Sequence, residues 1–285
     1  MSTPAFASFS QAEIDAVRRD HQSAFPTLRS DLIFWGIWAA VIAYVVGSLW
    51  FFEVYKLFSA SDRAWRLLSS FFVWRDMDEW MYGQIYVGIG QTIGMAFLGT
   101  FLGSCAALGI GFLGARNTMP FGFLRQIVRR VLDVFRGVDQ LVWGLVFVRA
   151  VGLGPLAGVL AIFISDMGTL SKLYAEAIEN IDRKQVEGVR STGAGPLKTI
   201  RYGYLPQVMP VFISQSLYFF ESSTRSATIL GIVGAGGIGM IIIERFRAGL
   251  YDQVAFVVLN VLIVIAIIDW MSRKIRERYI GEAAH

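Results

Sequence analysis

Apolar and polar positions alternate along this chain in long blocks rather than with the short period of a strand. Six stretches carry little or no charge: residues 32–52, 81–115, 138–151, 156–173, 207–233 and 254–270. Most approach or exceed the roughly 20 apolar residues that a helix needs to cross a bilayer. Lipid accepts only helices or closed barrels, because every backbone polar group must be satisfied internally. The block lengths predict helices, and so an all-α membrane protein with about six transmembrane helices.

The blocks differ in detail. Residues 32–52 form an apolar run too long for a secretory signal, with no small-residue cleavage site before Glu53, and read as an uncleaved first helix. Residues 81–115 hold no charge and are too many for one upright span, so part is expected to tilt or to lie at the interface. Within them Gly90, Gly94, Gly99 and Gly103 have spacings that let helix backbones approach closely. Gly152-Leu153-Gly154-Pro155 reads as a turn. Between the first two blocks, Trp65, Phe71, Phe72, Trp74 and Trp80 among charges of both signs suit an interfacial segment. Ahead of the first block, Ser10 and Glu13 have capping-box spacing, with Ile14 and Val17 following. That segment reads either as a short interfacial helix or as a disordered tail. The expected organisation is an N-terminal segment 1–31, a first helix and loop 32–80, a core 81–278 with a polar loop at 176–206, and a tail 279–285.

Composition agrees: 55% of residues are hydrophobic and only 17% charged, against about a quarter charged in soluble domains. The formal net charge of +4 is distributed in arginine clusters between apolar blocks, which points to membrane orientation rather than to nucleic acid. With both termini inside, alternating spans leave 18 of the 26 Lys and Arg residues on the cytoplasmic side. The single cysteine, Cys105, lies in an apolar block and has no partner for a disulfide. His21 and His285 sit in terminal segments, remote from any triad or metal-ligand spacing.

Two G-x-G-x-x-G matches occur, at 109–114 and 234–239. A dinucleotide fingerprint needs a strand before it and a helix after it. One match ends a membrane block and the other lies between two, so helix packing and a tight re-entrant turn explain them better. A P-loop of the form G-x-x-x-x-G-K-[ST] does not occur, so the chain does not bind ATP in that manner.

The polar loop at 176–206 carries the informative motif. Glu187, Gly188, Val189 and Gly193 are followed, after nine residues, by Gly203, Tyr204, Leu205 and Pro206. This resembles the cytoplasmic signature of binding-protein-dependent ABC importer permeases, E-A-A-x3-G-x9-I-x-L-P. Glu187, Gly193, Leu205 and Pro206 match, while Gly188, Val189 and Gly203 replace two alanines and the isoleucine. A short helix there would dock on an ATPase. Glu187 would support its first turn, Gly193 would end it in a left-handed conformation, and Pro206 would open the next span. Further stretches, V-G-L-G-P-L-A-G-V-L at 151–160, L-P-Q-V-M-P at 205–210 and F-E-S-S-T-R-S-A-T at 220–228, are similar to the phosphonate importer permeases. The resemblance implies a five-helix core plus one N-terminal helix, working as a homodimer in the bacterial cytoplasmic membrane. It also implies two ATPase subunits, an extracytoplasmic binding protein and, as substrate, a phosphonate, phosphite or another phosphorus oxyanion. No cofactor is implied.

Ionisable groups at membrane depth mark pathways or internal pairs. Arg149, Glu221 and Arg225 are the candidates for the path of an anion. Glu221 and Arg225, four apart on a helix, equally suit a neutralising pair, and Arg149 near a helix end equally suits snorkelling. Two rivals use the same acids: an intramembrane transferase built on Asp139, Asp166 or Glu221, and a secondary transporter coupling ions through them. The orientation is checked by reporter fusions. A fusion after Arg278 is expected to report cytoplasm and an insertion near Asp76 the opposite side; reversed signals overturn it.

Overall fold

The computed structural model describes residues 10–12, 15–16, 28–54, 65, 69–71, 73–74 and 77–281. Glu13, Ile14, Val17 and Phe72, on which parts of the N-terminal and interfacial readings rest, lie outside the described residues, as do residues 282–285 of the expected tail. The chain divides into two units, Met1–Arg66 and Leu67–His285. The first contains helix α1 (Leu28–Phe51), whose 24 residues give about 36 Å, enough to cross a hydrocarbon core of about 30 Å.

The second unit is a helical bundle. Its elements are α2 (Tyr82–Gly114), α3 (Gly122–Gly137), α4 (Gln140–Val151), α5 (Pro155–Glu179), α6 (Arg183–Ser191), α7 (Leu205–Ile232), α8 (Ile238–Arg247) and α9 (Tyr251–Gly281). Among the described residues four helical segments are long and apolar enough to cross a membrane: Leu32–Phe51, Tyr82–Gly114, Pro155–Glu179 and Tyr251–Arg278. α7 has the length, 28 residues, but carries Glu221 and Arg225. The run expected at 138–151 forms α4 of only 12 residues, about 18 Å, too short to cross alone.

α3 accounts for the difference. The basic segment before α4, an arginine cluster between two apolar blocks in the sequence, forms a 16-residue helix lying along α5. Lys172 on α5 reaches Asp133 at 3.2 Å, and Gly168 faces Phe135. α3 and α4 together return the chain along α5. Asp139 caps α4 by accepting the Leu141 N–H at 2.8 Å.

That return is demanded by the packing of α2 on α5. A Cβ added at Gly99 would lie 2.6 Å from Ile162, one at Gly103 would lie 3.1 Å from Asp166, and one at Gly111 would lie 2.9 Å from Tyr174. Each pair is separated by the same 63 residues, so the two helices run parallel and in contact. The hydroxyl of Thr100 donates to Asp166 at 2.6 Å on the same seam. Gly90 and Gly94, read from their spacing as a second contact, instead face open space. α7 runs antiparallel to both, with Tyr174 stacked on Phe212 at 4.1 Å and Asp166 bonded to Ser223.

The uncharged block 81–115 folds as one unbroken helix, α2, of about 50 Å. Its N-terminal end meets the start of α9 in an aromatic cluster. Trp80 and Tyr82 pack edge-on to Phe256 at 5.2 and 5.6 Å, with Trp74 at 5.8 Å. Aromatic rings at one level of a bundle suit a membrane–water boundary. The glycine-rich turn after α7 uses positive φ at Gly234, Gly236 and Gly237, which side chains disfavour. It locks onto the turn between α4 and α5, where Gly154 N–H donates to Gly234 O at 3.1 Å. Thr92 Oγ1 accepts the first free N–H of α8, from Ile238, at 2.8 Å. Neither glycine motif follows a strand: one ends α2 and the other joins α7 to α8.

Replacing Gly99 with alanine is expected to cost about 1–3 kcal/mol, because the new methyl meets Ile162 and the Val159 carbonyl. Gly94→Ala is expected to stay within about 0.5 kcal/mol. Thermal unfolding in one detergent compares them; equal effects would contradict the α2–α5 seam.

Candidate functional site

The polar loop after α5 builds a small two-sided structure. Asp182 caps α6 by accepting the Lys184 N–H at 2.9 Å. Glu187, expected in the first turn, is the fifth residue of the helix, because capping by Asp182 starts the helix four residues earlier. Gly193 follows the end of α6 at φ +79°, and its N–H closes on Arg190 O at 3.0 Å. Only glycine takes this conformation without strain.

One side of α6 is anchored. Val186 is buried in a cluster with Tyr174, Ile178, Tyr204 and Val208. A Cβ at Gly203 would lie 3.3 Å from Val186 Cα, so glycine here, rather than the isoleucine of the signature, lets α6 approach the backbone. Gln207 accepts from Asp182 N–H at 3.0 Å and donates to Gly203 O at 2.7 Å. Tyr204 Oη donates to Asn117 O at 3.3 Å. Residues 200–204 form a π turn that leads into α7 at Leu205, and Pro206 sits in the first turn of α7. The other side of α6 is open: Arg183, Lys184, Glu187, Gly188 and Arg190 are exposed, while Val189 is half-buried. No atom lies within 4 Å of the space a Gly188 Cβ would fill. Beside it a hollow of about 250 Å³ is bordered by Asn117, Glu187, Arg190 and Tyr204.

The charges at membrane depth do not gather in one place. Asp166 is buried and accepts from Thr100 at 2.6 Å and Ser223 at 3.0 Å, tying α2, α5 and α7 together. Asp139 serves as the α4 cap. Arg149 is exposed in the last turn of α4, where a cation meets the negative end of the helix dipole. It makes no ion pair with Glu221, whose partners among the described residues are Arg225 and Arg276.

Glu221 and Arg225 do meet, at 3.2 Å, but as the middle of a longer chain of charges. Arg225 also reaches Asp269 at 3.1 Å, and Arg276 reaches the second oxygen of Glu221 at 3.0 Å. The order is Arg276, Glu221, Arg225, Asp269, alternating in sign and neutral in sum. Glu221 is 14% exposed on its side chain and Arg225 46%, so the carboxylate is enclosed while the guanidinium keeps an open side. Asp269 and Arg276 were not singled out from sequence. They lie seven residues apart on α9, two turns along one face, which was the available signal.

Apolar helices of spanning length, charges paired across helices, and one short polar helix pinned to the end of the bundle describe a polytopic helical membrane protein. Residues 87–281 match the family described as binding-protein-dependent transport system inner membrane component, and the chain belongs to that family. It is the permease of a binding-protein-dependent ABC importer, a multi-pass protein of the inner membrane. It is 37% identical over 189 residues to the phosphite transport system permease protein PtxC of Stutzerimonas stutzeri, covering 66% of this chain and 69% of that one. It is 38% identical over 196 residues to the phosphate-import permease protein PhnE of Mycolicibacterium smegmatis, covering 69% of this chain but 37% of that protein. The fold is similar to a chain of the MetNI methionine ABC transporter in inward-facing form, with a TM-score of 0.62, 22% identity, and coverage of 71% of this chain and 99% of that one.

The charge chain is tested by assembly. Arg225→Gln strands Asp269 and is expected to cost on the order of 1–3 kcal/mol. Adding Asp269→Asn removes the stranded charge and leaves Glu221 with Arg276. Monodisperse yield and thermal stability should recover in the double variant; no recovery would show that Arg225 and Asp269 are not coupled.

Proposed function

We propose that this permease passes a phosphorus oxyanion, a phosphonate or phosphite, from an extracytoplasmic binding protein into the cytoplasm. Two copies would enclose the pore, two separate ATPase subunits would drive it, and both termini would lie in the cytoplasm. The core, residues 81–278 with its coupling loop at 176–206, would do the transport. The substrate reading is carried by the 37% identity to a phosphite permease. The coupling reading is carried by α6, anchored through Val186 on one side and open at Glu187, Gly188 and Arg190 on the other. In this reading Glu187, Gly188, Val189 and Gly193 meet the ATPase, while Leu205 and Pro206 transmit its movement directly into α7.

α7 also carries Glu221 and Arg225, so a displacement of α6 acts on the helix that bears the charge chain. Arg225, paired on two sides and open on a third, suits a transient contact with an oxyanion, since guanidinium pairs bidentately with phosphoryl oxygens. Arg149 would serve as an earlier attraction. The rival chemistries have less support, because Asp139, Asp166 and Glu221 each hold a separate structural partner.

The test is uptake in proteoliposomes containing the permease, its ATPase and its binding protein. Excess phosphite or phosphonate should suppress uptake of the labelled oxyanion, while sulfate should not; equal suppression by sulfate overturns the substrate reading. Gly193→Val forces a β-branched residue to positive φ, a strain of roughly 1–3 kcal/mol, and should lower ATP-driven uptake at least about fivefold. Normal transport by that variant, with no crosslink from Gly188→Cys to the ATPase, overturns the coupling reading.

A further inference from the structure

α3 is a helix with two faces and a cavity beside it. Leu132 is its one buried residue, and Phe123, Leu124, Ile127, Val131 and Val134 are exposed. Phe123 is 82% exposed and Val134 63%. An apolar stripe of this kind is at rest in the boundary between headgroups and acyl chains. Behind the stripe, where α3 meets the C-terminal ends of α2 and α5, lies a cavity of about 290 Å³. Arg116, Arg125, Arg129, Arg130 and Lys172 line it.

Some of these cations are already engaged. Arg129 bonds to Glu179 and to the Gly114 carbonyl. Lys172 and Arg130 share Asp133, at 3.2 and 3.7 Å. Arg116 and Arg125 form no ion pair among the described residues. Against the five cations stand Asp133, Glu176 and Glu179, an excess of two positive charges. Arg130 is 75% exposed and lies three, four and seven residues from Ile127, Val134 and Phe123. That spacing puts it in line with the apolar stripe, at the rim where stripe and cavity meet.

We propose that this cavity holds the headgroup phosphate of an anionic membrane lipid, with the acyl chains laid along Phe123, Ile127 and Val134. Basic pockets between helix ends recognise such headgroups by charge, and the adjoining apolar stripe supplies what a free anion lacks. A headgroup between Arg125 on α3 and Lys172 on α5 would clamp the two helices and steady the return crossing. The inference is independent of the transported substrate and of the membrane orientation.

The experiment uses the purified, delipidated full chain and native mass spectrometry with phosphatidylglycerol or phosphatidylcholine added back. Phosphatidylglycerol should be retained in preference to phosphatidylcholine, and millimolar inorganic phosphate should not displace it. Arg125→Gln with Arg130→Gln should lower phosphatidylglycerol affinity roughly thirtyfold, about fivefold per cation. Arg125→Lys with Arg130→Lys keeps the charge and should retain most of the affinity; Phe123→Ser with Val134→Ser should weaken both lipids. Equal retention of the two lipids by the wild-type chain overturns the proposal without any variant. Full displacement by phosphate makes the cavity a small-anion site instead. Loss of a co-purifying ATPase from the Gln variant, with lipid retained, assigns the surface to a protein contact. Either result rejects the lipid.

Discussion

Three glycines on α2 set the geometry of the bundle. At Gly99, Gly103 and Gly111 a side chain would strike α5, and at all three the offset is the same 63 residues. In lipid there is no hydrophobic drive to press helices together, so close backbone contact has to supply the attraction. Parallel neighbours in turn require a chain that comes back between them. α3 and α4 are that return, and their break at Asp139 follows from sharing the work between an amphipathic helix and a short apolar one. The same seam brings Thr100 to Asp166 and leaves Ser223 of α7 to complete the carboxylate's bonding.

A bundle that buries charge in an apolar medium must satisfy it in place. This one does so in two ways. Asp166 takes two hydroxyl donors and so joins three helices. Glu221 takes two guanidinium groups, one from its own helix and one from α9, and Arg225 closes the chain onto Asp269. The first arrangement is enclosed. The second is neutral overall yet open at Arg225, whose guanidinium keeps an exposed side while Glu221 and Asp269 hold it in place.

The segment between α5 and α7 connects these charges to the outside of the bundle. Val186 and Gly203 press α6 against the core, and Gln207 bonds its start. These contacts tie α6 to the first turn of α7.

Much of this was legible in the sequence, for one reason: lipid penalises an unsatisfied backbone or an exposed charge so heavily that helix length, apolar blocks and arginine bias appear directly in composition. Gly193 was legible because one conformation needs one residue type, and Pro206 because a missing N–H is harmless only at a helix start. What is periodic in three dimensions was harder to read. The arginines before α4 were read as a charge cluster between apolar blocks, though four of them, Arg125, Arg129, Arg130 and Arg136, fold into the helix α3. Gly90 and Gly94 share the spacing of Gly99 and Gly103, yet only the second pair meets a neighbour. Glu221 and Arg225 were paired through local helix geometry, but Asp269 and Arg276 lie 44 and 55 residues from the groups they bond. Sequence by itself determined that this chain is a helical membrane protein, because apolar block length and charge placement arise from local chain physics and the solvent. Its permease character was legible only through the resemblance of the loop motif at 187–206 to a known signature. Which helix faces which, and therefore which charges meet, was decided only by the tertiary packing, since contact across helices depends on register and rotation that no single segment encodes.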